Sequence, residues 1–326
     1  MAGVECARDP FGVKWRQRSS RIATYKTCHM VKNISQPRAH LITLGAFICF
    51  GLMSPLCKWA MESGIITGVS MACFRLCGAA LLFWLISPLV PRQQIEKGDW
   101  KYLIIMSLCG MGINQFCYVL GVQYTSPTNA CVITTSTPVF TFVLSALFLH
   151  AAVTARKVLG LGIAATGALI LILGSQMQGG RSGSPLGDAI CLFSQLSASC
   201  YFVFFSGVIR KYHPVVLMRW LFLISAVLTC PFWMQEVCTL PWAQLGMPEI
   251  LGSAYVVLFG SFVSYLLMIV GQRHLEPSTV AAYNYIQPII AASVGILLGV
   301  DALTWQKVVA VLCIAAGVWA ISRKTA

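Results

Sequence analysis

Residues 121–138 read GVQYTSPTNACVITTSTP and residues 271–288 read GQRHLEPSTVAAYNYIQP. Each stretch sets a glycine, a proline six residues later and a second proline eleven residues beyond it: Gly121, Pro127 and Pro138, then Gly271, Pro277 and Pro288. The two stretches are 150 residues apart, and the offset holds on both sides without a gap. Gly110/Gly260, Leu147/Leu297, Thr154/Thr304, Lys157/Lys307, Val158/Val308, Ala165/Ala315 and Gly167/Gly317 complete ten matched pairs. The chain is an internal duplication, and the make-up of the duplicated unit decides the fold.

That unit is apolar. Of the 326 residues 57% are apolar and 10% charged, whereas a soluble domain carries about 25% charge. So little charge cannot cover a water-soluble surface, and so much apolar content excludes disorder. A helix needs about 20 apolar residues to cross a bilayer. Ten stretches qualify: 40–58, 69–89, 101–121, 128–149 and 157–175, then 187–208, 214–234, 250–271, 278–299 and 306–322. The expected fold is an all-α polytopic membrane protein of ten transmembrane helices, arranged as two five-helix repeats. Five is odd, so the second repeat runs inverted relative to the first. The domain boundaries follow: a basic N-terminal tail over 1–39, expected to be disordered and cytoplasmic; a first repeat over 40–175; a Gly/Ser/Pro linker over 176–186; a second repeat over 187–322; and a short tail over 323–326. The N-terminal tail has no run of 7–15 apolar residues and is not a secretory signal; its Arg/Ser-rich, acid-poor composition leaves an organelle-targeting segment as a second reading.

The net charge of +13 would suggest nucleic acid or an anionic surface as partner. Its distribution says otherwise. Eighteen of the 23 Lys and Arg lie on the side of the N-terminus, while Lys58, Arg181 and Lys307 lie on the other. By the positive-inside rule both termini belong in the cytoplasm, which makes the charge an orientation signal in a cytoplasmic membrane and not a nucleic-acid site. Twelve of the 14 cysteines lie beyond Val31, nearly all in apolar stretches, and no CxxC pair occurs, so they read as small packing residues, neither a disulfide scaffold nor a metal site.

Pro127 and Pro277 fall in a first helical turn, where the missing N–H costs nothing. Pro138 and Pro288 lie about 16 Å further along, near the bilayer middle. Each frees the carbonyl four residues earlier, that of Thr134 or Asn284. Backbone opened at that depth must face protein or a watery cavity. Thr134 and Thr135 surround the first kink; Tyr283, Asn284 and Gln287 surround the second. They read as the wall of a central, substrate-binding cavity, or as a kink packed between helices. Asn114, Gln115 and Tyr118 cluster within one turn of span three, and Tyr265 is the repeat counterpart of Gln115. Two uses are open to them: substrate contact, or hydrogen-bonded adhesion between helices. Arg75 and Arg219 are the only Lys or Arg inside spans and clear of their ends. They read as anion contacts, or as side chains reaching back to the membrane surface. No Asp or Glu falls at the centre of a span, so proton coupling through such a group is not expected. Catalytic, metal and nucleotide-binding motifs are missing as well, so neither an enzyme nor a cofactor is expected. Small-residue stripes (Gly160, Ala164, Ala168; Gly295, Gly299; Ala316, Ala320) suit close helix packing within a monomer or across a homodimer.

With ten spans, paired repeats and the Gly121–Pro138 and Glu276–Pro288 blocks, the chain resembles the EamA family of the drug/metabolite transporter superfamily over residues 40–322. The second block continues through Gly299-Val-Asp301-Ala-Leu-Thr304. The family commonly places an acidic residue before the closing Thr/Ser; Asp301 holds that place and Ala151 replaces it in the first repeat. The resemblance implies secondary, ATP-independent export or exchange of small organic metabolites such as amino acids or amphipathic compounds. Alternating access around a cavity lined by spans three, four, eight and nine is the implied mechanism. A carrier of phosphorylated or nucleotide-linked sugars is the alternative within the superfamily. A membrane scaffold or enzyme is the alternative outside it.

Overall fold

The computed structural model describes residues 34–124, 133–150, 153–176, 184–297 and 305–322. Residues 1–33 of the N-terminal tail, Pro127, Ala151, Asp301, most of the linker and the C-terminal tail lie outside the described residues. Span one is α1 (Gln36–Ala60) and span two α2 (Gly68–Ile86). Span three comprises α3 (Trp100–Ser107), a π-helical turn (Leu108–Ile113) and α4 (Asn114–Tyr124). Spans four and five are α5 (Ser136–Phe148) and α6 (Ala155–Gln176). Span six is α7 (Pro185–Phe204), continued by the short α8 (Ser206–Lys211), and span seven is α9 (Pro214–Cys238). Span eight repeats the pattern of span three: α10 (Met247–Val257), a π-helical turn (Leu258–Val263) and α11 (Ser264–His274). Span nine is α12 (Pro277–Ala282), a 3-10 turn (Tyr283–Tyr285) and α13 (Ile286–Leu297), and span ten is α14 (Trp305–Ser322). Among the described residues six stretches are long and apolar enough to cross a membrane unaided. The fold is a polytopic all-α membrane protein built from two inverted five-helix repeats.

The sequence placed the start of span one at residue 40. The helix begins at Gln36, because Pro37 sits in the first turn, where proline is accommodated and pre-sets the helical φ.

The duplication is visible in the backbone. The π-helical turns Leu108–Ile113 and Leu258–Val263 lie 150 residues apart, as do the helices Asn114–Tyr124 and Ser264–His274 that follow them. Contacts obey the same symmetry: α4 packs on α7 and α11 on α1, while α2 faces α9 and α6 faces α14. The major contacts therefore join one half to the other. The paired glycines explain how. A methyl on Gly121 would overlap Cys191 Sγ, and one on Gly271 would overlap Thr43 Oγ1. Gly110 is pressed against the Tyr201 ring, and a Cβ on Gly260 would stand 2.8 Å from Met53 Cγ. Gly167 and Gly317 serve the α6–α14 contact, where a Cβ on Gly317 would lie 2.6 Å from Ala164 Cβ. The stripe holding Gly160 and Ala164 is thus used inside the chain.

Polar cross-links between the halves concentrate at the Lys/Arg-rich end, called here the basic end. Lys211 Nζ lies 2.6 Å from Asp99 Oδ2 and 2.7 Å from Glu96 Oε2. Tyr212 donates to Asp99 at 2.5 Å, and Lys157 pairs with Glu276 at 2.8 Å.

Candidate functional site

Both mid-span prolines break their helices. Before Pro138 the helical path turns at Thr135; before Pro288 it tightens into the 3-10 turn Tyr283–Tyr285. The ring displaces the carbonyl four residues back, as helix-interior proline must. Beside these breaks, at the crossing of the halves, lies a cavity with about 80 Å³ open to the centre of a water-sized sphere. One water needs about 10–15 Å³ by that measure, so the space holds several waters or one small organic molecule.

One wall is polar. Asn114, Gln115, Tyr118, Thr134, Asn284 and Gln287 all line it. Their spacing explains the selection: Asn284 and Gln287 are three residues apart on one helical face, as are Thr134 and Thr137. Thr135 and Tyr283 point elsewhere, in contrast to the sequence expectation. Thr135 is buried outside the lining, and Tyr283 shares a 2.9 Å hydrogen bond with His40 and stacks on Phe47 behind the wall. Aromatic side chains complete the lining, among them Phe50 and Tyr265. Tyr265 meets Phe50 and Phe222 edge-to-face, at centroid distances of 5.3 and 5.2 Å.

The question of adhesion or substrate contact divides residue by residue. Asn114 Nδ2 donates to the Ser194 carbonyl at 3.0 Å, which ties span three to span six. Gln287 donates to Asn284 Oδ1 at 2.7 Å, and Asn284 to the Ala281 carbonyl at 3.0 Å, both within span nine. Gln115 is different. It is 1% exposed, its amide N–H reaches Met111 Sδ at 3.7 Å and the Tyr265 hydroxyl, and its Oε1 accepts no hydrogen bond of good geometry.

The two intramembrane arginines separate completely. Arg75 lines the cavity, and its Nε–H donates to Ser261 Oγ at 3.1 Å. Arg219 lies outside the lining. It bonds to Ser87 Oγ and places its guanidinium 5.0 Å from the Trp84 ring and 5.7 Å from Trp220. Arg75 is the eighth residue of α2 and Arg219 the sixth of α9. Two positions are roughly 200° of helical rotation, so the repeat turns them to opposite faces.

Sequence reasoning missed Gln195 and Tyr201 as lining residues, while Thr137 joins Thr134 in the lining as the polar run beside Pro138 leads one to expect. Thr137 donates to Gln195 Oε1 at 2.6 Å and Tyr201 to Gln272 Oε1 at 3.2 Å. Gln195, the one amide side chain in the span-six stretch 187–208, was the available signal. Spans one, two and six thus join the four spans expected around the cavity. No group of three His, Cys, Asp or Glu that could hold a metal occurs among the described residues.

Comparison with known proteins matches the EamA-like transporter family model to residues 37–173 and again to 185–323, one match per repeat. The chain belongs to the EamA-like transporter family. Among its relatives is an uncharacterized transporter of Archaeoglobus fulgidus, 24% identical over 87% of this chain and 98% of its own. Bacillus subtilis YyaM, also an uncharacterized transporter, is 23% identical over 84% and 90%. A WAT1-related protein of Arabidopsis thaliana is 23% identical over 73% and 66%. A solved crystal structure at 15% identity superimposes with a TM-score of 0.72, over 88% of this chain and 96% of its own, and shares the fold. Family membership makes this EamA protein a membrane transporter.

Proposed function

We propose that this EamA protein is a secondary transporter that exports or exchanges small organic metabolites by alternating access, with its basic end and both termini in the cytoplasm. The observation that carries the reading is a cavity of small-molecule size at the crossing of two inverted halves, where secondary transporters commonly hold their substrates. Cross-half ties join the halves at the basic end, and inward opening would have to part them. A scaffold would have no use for a polar-lined hollow at this depth. A phosphorylated or nucleotide-linked sugar is less well supported, because Arg75 is the one cation among the described lining residues and a dianion would call for a second.

The test is counterflow in liposomes holding the full chain, across radiolabelled amino acids and amphipathic metabolites. Flux of at least one cargo is expected, falling at least tenfold in Gln115→Leu and Asn284→Leu while yield and thermal unfolding stay close to the parent. Folded protein with no flux for any cargo would overturn the reading, and unchanged flux in both variants would remove the cavity from it.

A further inference from the structure

Arg75 is 3% exposed, and among the described residues it belongs to no ion pair. Its only hydrogen bond there runs through Nε to Ser261. That bond is directional: Ser261 Oγ itself donates to the Val256 carbonyl at 3.0 Å, within the π-helical turn, which leaves a lone pair aimed at Arg75. The guanidinium is therefore pinned at Nε, and its Nη1/Nη2 edge is left over. Guanidinium stays charged in proteins, and an unpaired buried charge costs several kcal/mol. No Asp or Glu among the described residues lines the cavity that could answer it. An anion entering the cavity would do so.

The remaining lining narrows the anion. A single cation balances a single negative charge, and the planar Nη edge matches the two oxygens of a carboxylate. The Phe50–Tyr265 wall offers an apolar face, while the unpartnered Gln115 Oε1 accepts one hydrogen bond.

We propose that the cavity takes small organic monocarboxylates, with the carboxylate on the Nη1/Nη2 edge of Arg75 and the apolar body against Phe50 and Tyr265. This deepens the transporter reading above and rests on it.

The experiment compares ligands that share one body and differ in head group: 3-phenylpropionate, 3-phenylpropanol, 3-phenylpropylamine and 3-phenylpropyl phosphate. Each is titrated calorimetrically into the full chain in nanodiscs at pH 7.5. The carboxylate is expected to bind about 10- to 100-fold tighter than the alcohol or amine, the span of one charge-assisted hydrogen bond. Arg75→Gln should erase that preference, Arg75→Lys should recover part of it, and Arg219→Gln should leave it intact. Equal binding of alcohol or amine, tighter binding of the phosphate, an unchanged preference in Arg75→Gln, or no binding by any of the four would each overturn the proposal. Should Arg75→Gln fail to fold, the head-group ranking in the parent and in Arg75→Lys decides. The transport reading is judged separately: flux of a neutral or cationic cargo would sustain it while the carboxylate site falls.

Discussion

Asp99 and Glu249 stand 150 residues apart, at corresponding points ahead of spans three and eight, and both are buried. Their uses differ. Asp99, at the basic end, is held by Lys211 and Tyr212 from the other half. Glu249, at the opposite end, accepts the Gly246 N–H at 2.9 Å and so caps its own helix, with Ser63 beside it. Near Glu249 the halves meet without an ion pair, through hydroxyl hydrogen bonds from Ser63 to Glu249 and from Thr67 to Glu236 and through small residues: a Cβ on Gly252 would lie 2.6 Å from Ala60 Cβ. The duplication kept the frame at both ends and placed an ionic tether at one. A repeated fold thus need not be repeated electrostatically, and the difference gives the two ends unequal resistance to separation.

Three perturbations break or sharpen that contrast. The largest effect is expected where the halves are alike. Gly121→Leu and Gly271→Leu each force a side chain into Cys191 or Thr43, and each should cost about 3 kcal/mol, read as lost monodispersity and a lower unfolding temperature. A marked inequality between them would show that the shared frame is not shared energetically. Next comes the tether. Lys211→Ala leaves the Asp99 carboxylate buried without its cation and should cost about 1–3 kcal/mol, with the basic end becoming more reactive toward a cysteine-scanning label. Burial pulls Lys211 down, but hydrogen bonds to the carboxylates of Asp99 and Glu96 outweigh it and hold the ammonium above its usual range near 10.5. The tether's contribution is accordingly complete below about pH 10.5 and fades only as pH climbs past the raised value. The smallest effect belongs to the opposite end: Glu249→Gln keeps a cap acceptor and should lower the unfolding temperature less than either of the other changes. A larger loss there than in Lys211→Ala would overturn the contrast.

The duplication was legible because the close approaches fall at corresponding places in both halves, so glycine recurs at Gly121 and Gly271 and proline at Pro138 and Pro288. The π-helical turns were not legible. They are a hydrogen-bonding pattern with no residue signature of its own, and only the recurrence of Gly110 at Gly260 marked the place. Arg75 looked peripheral when depth was counted from the start of its span. Seven residues are about 10 Å of helix, and a long side chain carries the charge further toward the centre. Gln195 and Tyr201 escaped because span six has no clear sequence match to span one. Thr135 and Tyr283 were included because they adjoin lining residues, yet neighbours in a helix face different ways.

The crossing of contacts between the halves also sets a timetable. Thr43 on α1 meets Gly271 on α11, a partner synthesised more than two hundred residues later. At about 5–20 residues per second, the first helix to enter the membrane waits on the order of 10–50 s for the surface it is shaped to fit. During synthesis that face must have lipid or the insertion machinery as its neighbour. For this protein assembly is an exchange of partners, completed only after most of the second repeat has emerged.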